Sequence, residues 1–524
     1  MIEDSSYKIT EQMKSSWHKS VRLLAKSLGF SKSAIHRHQQ KVNRRSGILG
    51  ADYFETADGQ KWILKFVAAT ILVFGVAASV GSDRIALFIS LLGLSYFAAL
   101  SADSLRKIEN KIDTLIAQYK DRYDALIKEK ASELEITPGA DETYLSGIMY
   151  LVLMDLQSGF IFTEEIKDKR DHETWEAVST PWISKFKIVR CFLSDKAKAL
   201  LKLADKTFQV IRIPDLFHMM NDLSSVMKFS FNRIQKSIES EIKKLAGKAR
   251  QTRNIKEKLA DLKDKLASVL LDQRTYQKHL RNLSLTLHPF TILSSGKQNS
   301  KAAASAMQSS LSTIKKIKDK HDIPDPRNKM KRVEKEIPAA AQQIDQWWVW
   351  VETSLDGLDC TQEFKDWMMF YLLPFVYWKA QIKKTNSKII RRFYKLSYRN
   401  SEAELEKHQL TIRCFSNLKY TKWAISMAKI FIRSTSAIEG RNGWLSQIHF
   451  NGRGLPEKRL ISQTGIRNYF LTRTDGTTAC ERLSGIEPEC LFKYIVDNLD
   501  PLSSPRIGKK MKLPPPFMQQ AVPP

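Results

Sequence analysis

Apolar residues recur along this chain in two rhythms, and each predicts its own kind of element. Residues 20–41 read as helix, tight turn, helix. Leu24, Leu28, Phe30 and Ile35 supply a shared interior, Ala25 lets the helices cross, Gly29 supplies the turn, and Ser31 or Ser33 caps the second helix. Residues 104–135 keep the helical spacing through Leu105, Ile108, Ile112, Leu115 and Ile116, in a strongly charged background that Pro138 and Gly139 end. The pattern then shortens. Residues 148–166 hold two β-branched and aromatic runs around a turn at Asp155–Gly159, which predicts a hairpin. Residues 186–195 and 208–218 predict two further strands, with helical stretches near 171–184 and 196–205 between them. A weak strand broken by Pro138 precedes the hairpin. This succession predicts a mixed α/β layer.

From about residue 226 the strand signal stops. Ile234, Ile238, Ile242, Leu245 and Ala249, then Ile255, Leu259, Leu262, Leu266 and Val269, step by threes and fours, which predicts one or two long helices or a coiled-coil hairpin. The Ser/Lys/Ala-rich stretch 294–338, with Pro324, Pro326 and Pro338, reads as a linker. A second helical block runs to about 430, its tryptophans (Trp347, Trp348, Trp350, Trp367 and Trp378) expected in the core. Two apolar runs, 62–81 and 85–100, match either a membrane hairpin or a buried helical pair, and we expect the buried pair. The expected fold class is α+β and α-rich: an N-terminal helix-turn-helix and a mixed α/β core interrupted by a long all-helical insertion. The expected divisions are 1–50, a helical domain 51–135, the first core part 136–225, the insertion 226–430, the core completion 431–500, and a disordered basic tail 501–524.

Charge changes the picture. The chain carries a formal +28 with 43% apolar residues, so it can build sizeable cores and still present a cationic surface. Such an excess favours a polyanionic partner, nucleic acid before membrane. From Lys228 to Arg281 there are 15 basic and 6 acidic residues, consistent with a solvated helical face or an arm that tracks DNA. The five cysteines are scattered with no C-x-x-C pair, which argues against a zinc knuckle or a disulfide framework and fits a reducing cytoplasm. The polar N-terminus does not read as a secretory signal. On the second helix of the N-terminal pair, Lys32, Ser33, His36, Arg37 and Gln39 are residue types that reach phosphates and base edges in a major groove.

Against this basic background a few carboxylates stand out. Asp141 lies just before the hairpin, and Asp195 ends a strand where the chain turns into a helix. Glu439, in "STSAIEGRNGWLS", sits in the first turn of a helix starting near Ser434–Ser436. Converging carboxylates repel unless cations join them. They suit Mg²⁺, and two such ions about 4 Å apart can activate a water or a 3′-hydroxyl against a phosphodiester. Asp155 is a rival first acid, although its setting is that of an ordinary hairpin turn.

Several stretches resemble one family. "GADETYLSGIMYLVLMDLQSGFIF", "FLSDKAKALLKLA" and "IPDLFHMMND" resemble segments of bacterial insertion-sequence DDE transposases with a ribonuclease-H-like core, the last mapping onto Asp215, Phe217 and His218. Residues 433–483 resemble the C-terminal module of one group of these enzymes. They carry S-x-x-E-G-R-N-G at Ser436 to Gly443, H-x-N-x-R-G-L at His449 to Leu455, and D-G-T-T-A-x-E-R-L at Asp475 to Leu483. The matched segments run in order over about half the chain. The resemblance implies a ribonuclease-H-like core and Asp141, Asp195 and Glu439 as ligands of two Mg²⁺ or Mn²⁺ ions. It further implies His218, Lys196, Arg441 and Asn442 as groups behind the ligands or on DNA phosphates. Expected partners are double-stranded DNA (terminal inverted repeats and target) and a second copy in a homodimer, with no membrane, at the nucleoid in the cytoplasm. The alternatives are a membrane-associated coiled-coil scaffold built on 62–100 and a DNA-binding relative that has lost catalysis.

Overall fold

The computed structural model describes residues 20–45, 50–247, 252–414, 418–452 and 454–505. The first nineteen residues and most of the expected basic tail, from residue 506, lie outside the described residues. The protein is α+β: mostly helical, with a five-stranded mixed sheet and a short parallel pair, Glu135–Ile136 with Ile188–Val189.

The sheet has five strands, β1 (Pro138–Leu145), β2 (Ile148–Asp155), β3 (Ile161–Lys167), β4 (Phe192–Ser194) and β5 (Arg212–Pro214), in the order β3-β2-β1-β4-β5. The first three are antiparallel, while β4 and β5 run parallel to β1. Ser146 and Gly147, both at positive φ, close the β1–β2 turn, the backbone a two-residue hairpin requires. Asp155 closes the next turn. Its carboxylate accepts from the Thr137 and Ser158 backbone N–H groups and the Ser158 hydroxyl. This reserves it for the turn and removes it as a rival first acid.

Two strand expectations change. Pro138 does not break the first strand but opens it, where its missing N–H is tolerated, and pairing with β2 runs unbroken from Pro138 to Leu145. Asp141 therefore sits within β1, the strand just before the hairpin. The 208–218 strand shrinks to β5 because Asp215 instead caps a helix, accepting from the Phe217 N–H at 2.7 Å.

The N-terminal pair is α1 (Val21–Leu28) and α2 (Lys32–Arg45), joined at Gly29 with φ 70°, over buried Leu24, Ala25 and Ile35. Next come α3 (Ala57–Thr70, continuing as a π-turn to Ala77), α4 (Ser82–Leu91) and α5 (Ala102–Lys130). The expected separate helical domain at 51–135 is not seen. Ile63, Val67 and Ile71 of α3 and Ile112, Ile116 and Tyr119 of α5 share one apolar core with the sheet and with α6 (His172–Ile183). One face of the pair is thus buried in this core, while Trp62, Val73, Phe74, Leu87, Phe88 and Leu91 are exposed. Residues Ala57–Ala77 are long and apolar enough to cross a membrane, with nearly half of that stretch buried in the protein.

The helical block has its own core. Helices α7 (Leu216–Ala246) and α8 (Arg253–Thr286) pack together, followed by α9 (Ser300–Lys320), α10 (Lys329–Asp356), α11 (Leu373–Lys384), α12 (Lys388–Lys407) and α13 (Leu418–Ile430). The expected linker at 294–338 is wrong: it is α9 and the first part of α10. Ala303, Met307, Leu311, Ile314 and Ile317 bury one stripe of α9. Apart from the buried Ser310, most of the lysines and serines that suggested a linker lie away from this stripe, and Pro338 is absorbed inside α10. Trp347, Trp348, Trp367 and Trp378 are core residues, as expected, while Trp350 is only half-buried against that core. The chain then returns to the sheet through α14 (Ser436–Gly452) and α15 (Glu457–Tyr469), the latter packing on α5 and β3.

Candidate active site

The parallel half of the sheet fixes the site. Gly139 of β1 pairs with Leu193 of β4, and Ser194 pairs with Pro214 of β5. Continuing this register brings Asp141, Asp195 and Asp215 level across three adjacent strands, whose spacing is about 4.8 Å. Two helices complete the surround. α14 presents Glu439 from its first turn, as the sequence predicts, and α7 presents His218.

Asp141, His218 and Glu439 each offer a ligand atom, and these atoms lie within 4.8 Å of one another. Asp195 is outside that tightest group but close enough for its charge to act on Asp141. Burial, then the carboxylates of Glu439, Glu142 and Asp195, push Asp141 up to about 8. Asp195 and His218 line one small cavity of 190 Å³, with Lys196, Arg212 and Glu336. Asp195 is held by the Ala197 N–H at 2.9 Å and by Arg212, which donates to the carbonyls of Ser194 and Asp195.

His218 stands between two acids. Its Nε2 is 3.4 Å from Glu439 Oε1 and 3.6 Å from Asp215 Oδ2. Asp215 is buried and also accepts from the Thr435 hydroxyl. Asn442 is buried and donates to Asp141 Oδ2 at 3.1 Å, while its own Oδ1 and Glu142 Oε2 are buried without a hydrogen-bond partner among the described residues.

Two further expected groups behave differently. Arg441 does not face solvent, so the DNA-phosphate reading of it is wrong. It is 4% exposed and forks onto both oxygens of Glu164, at 2.8 and 2.6 Å, with the Thr464 hydroxyl also on Glu164. Residues two apart on a helix point to different faces, so Glu439 and Arg441 diverge. Lys196 remains half exposed but pairs with Glu336 of α10 at 2.9 Å. On α2, Lys32, Ser33, His36 and Arg37 are exposed and Gln39 is half-buried, so the expected face is open.

Sequence reasoning missed Glu164, Arg212 and Glu336. The signal for Arg212 was present two residues before a Pro-Asp strand end. Glu164 and Glu336 gave none, because their partners lie far away in the chain.

Residues 368–511 match the sequence profile of a family of unknown function (DUF6399). That stretch includes Glu439 but not Asp141, Asp195 or His218. No curated protein matches the chain.

Proposed function

We propose that this protein is a DDE-type transposase, cleaving DNA strands at element ends and joining them to a target with divalent cations. The observation that carries the reading is the meeting of Asp141, Glu439 and His218, with Asp195 level beside them, from segments separated by a complete helical block. The sheet order, antiparallel through β3-β2-β1 and parallel through β1-β4-β5, supports the ribonuclease-H-like reading. A +28 chain supports a DNA partner, and the open face of α2 supports groove contact by a helix-turn-helix.

The residues fit a hard cation. Carboxylate oxygens dominate the donor set, Asp141 lacks a neutralising cation, and the buried Oδ1 of Asn442 lacks a partner. Asp141, Asp195 and Glu439 would hold the ions, Mg²⁺ or Mn²⁺. When bound, such ions stabilise charge on a phosphodiester and acidify a water.

The chain's own groups do the rest. Asn442 fixes the Asp141 carboxylate, and Arg212 fixes the backbone at Asp195. His218, flanked by Asp215 and Glu439, can carry a proton at Nε2 to the departing oxygen. Water oxygen bonds to phosphorus and gives up a proton to solvent, the P–O3′ bond breaks, and the 3′ oxygen takes a proton from His218 Nε2. The freed 3′-hydroxyl then attacks a target phosphodiester, its proton goes to solvent, and the 3′ oxygen it displaces is protonated in turn. No protein nucleophile is required.

The test is cleavage of duplex DNA carrying the gene's flanking sequence, with Mg²⁺ or Mn²⁺. Wild type should cut, and Asp141→Asn, Asp195→Asn and Glu439→Gln should each fall to background. Cleavage retained in any of the three would overturn the assignment. A second reading, a membrane-associated scaffold, is favoured by one observation: Trp62, Val73, Phe74, Leu87, Phe88 and Leu91 are exposed on α3 and α4. Retention in membranes after a high-salt wash would support it, and release would remove it.

A further inference from the structure

A second cluster of like charges lies on the other side of the Ser434–Ala437 segment that leads to Glu439. A cavity of 490 Å³ opens between the end of α11, the segment joining α13 to α14, and the turn after β2. Five cations line it: Lys384, Lys429, Arg433, Arg473 and Arg482. The one acid on its wall, Asp475, already accepts from the Thr477 N–H and hydroxyl.

Two of the cations are committed to the fold. Arg433 donates to the carbonyls of Ser284 and Leu287, and Arg482 to those of Ser158 and Thr477. Lys384, Lys429 and Arg473 have no side-chain hydrogen bond or ion pair among the described residues. Lys384 is exposed where it lines the cavity. Burial, then Arg433, Lys429 and Arg473, hold it down to about 8.

Gln381 gives an independent sign. It is 3% exposed, lines the same cavity, and its amide has no hydrogen-bond partner among the described residues. Like charges gathered without a counterion are costly, and the unpartnered Gln381 amide faces the same space. One ligand answers both: a compact anion with several acceptor oxygens. The cations outnumber the charge of a single carboxylate, and guanidinium and ammonium groups together suit phosphate geometry. The N-terminus of the 17-residue α14, at Ser436 and Ala437, opens into the same space.

We propose that this cavity is a phosphate-binding site in which Lys384, Lys429, Arg473 and the Gln381 amide take a phosphate group, from a nucleic-acid strand or a free small phosphate. The site does not depend on the carboxylates being catalytic. A strand phosphate seated here would run past Ser434–Ala437 toward Glu439, joining the two sites.

The test is calorimetric titration of the full-length protein with inorganic pyrophosphate, in a chelator so that the carboxylate cluster contributes nothing. Saturable binding is expected, weakened about tenfold or more by Lys384→Met and by Gln381→Leu. Lys429→Met, at an exposed position, gives the same readout should Lys384→Met fail to fold. Lys301→Met, on the outer face of α9, should leave binding unchanged. Displacement of pyrophosphate by a short single-stranded oligonucleotide identifies a strand phosphate, and its absence identifies a free phosphate. Wild-type affinity in both Lys384→Met and Lys429→Met, equal loss in Lys301→Met, or no pyrophosphate binding at all would overturn the site.

Discussion

Two buried carboxylates of one sheet, Asp141 on β1 and Glu164 on β3 with β2 between them, meet opposite fates. Glu164 has a guanidinium on both oxygens and a threonine hydroxyl besides. Asp141 has the Asn442 amide, the Glu142 backbone N–H and a ring of other acids. Arg441 and Asn442, adjacent on α14, serve the two sites in turn. The arginine neutralises Glu164 and pins the helix, while the asparagine orients Asp141 and leaves its charge unbalanced. The fold neutralises one carboxylate fully and leaves the other facing like charges, the contrast on which the proposed cation site rests.

The comparison can be broken in several ways. Largest is the loss of cation-dependent cleavage in Asp141→Asn or Glu439→Gln, to background, with the folded state intact by circular dichroism. Next, Arg441→Ala should cost about 3–5 kcal/mol in denaturant unfolding, because it strands a buried charge. The paired change Arg441→Met with Glu164→Gln should recover most of that loss; if it does not, the pair does more than balance charge.

Asp141 should act oppositely on stability. Its folded value, about 8, lies above its unfolded one near 3.8. The stabilisation is therefore complete below about 4 and is lost as pH rises through about 8. In chelator, wild type should lose a few kcal/mol across that window, and Asp141→Asn should flatten the loss. Added Mg²⁺ should restore stability at high pH, with affinity rising about tenfold per pH unit below 8 as the proton is displaced.

Asn442→Ala should weaken cation binding roughly 10–100-fold, as loss of a group orienting a ligand does, with little change in unfolding. The smallest effect belongs to α2. Arg37→Ala should reduce the salt slope of DNA binding by about one if that side chain meets one phosphate.

The long helices were legible because each repeats its apolar stripe within its own sequence. The β2–β3 hairpin and the Gly29 turn were legible for the same local reason. The helix α9 was misread because its stripe consists largely of alanine and isolated aliphatic residues, and the surrounding serines and lysines mimic a linker until a neighbouring core covers one face. Pro138 misled because proline disrupts a strand interior but not its first residue, and only pairing reveals which position it holds.

The site divides along the same line. Sequence alone determined the positions of Asp141, Asp195 and Glu439, the basic balance, and a helix starting just before Glu439, since these follow from residue type and local spacing. Tertiary structure decided that Asp141, Asp195 and Asp215 stand level, because register is set by strands paired across the sheet. It decided that Arg441 turns inward to Glu164 and not outward to DNA, because the helix's rotation is fixed by what it packs on. It also gathered five cations opposite an unmet Gln381. Contacts between residues hundreds of positions apart leave no periodic trace in the chain, and only the closed fold brings them together.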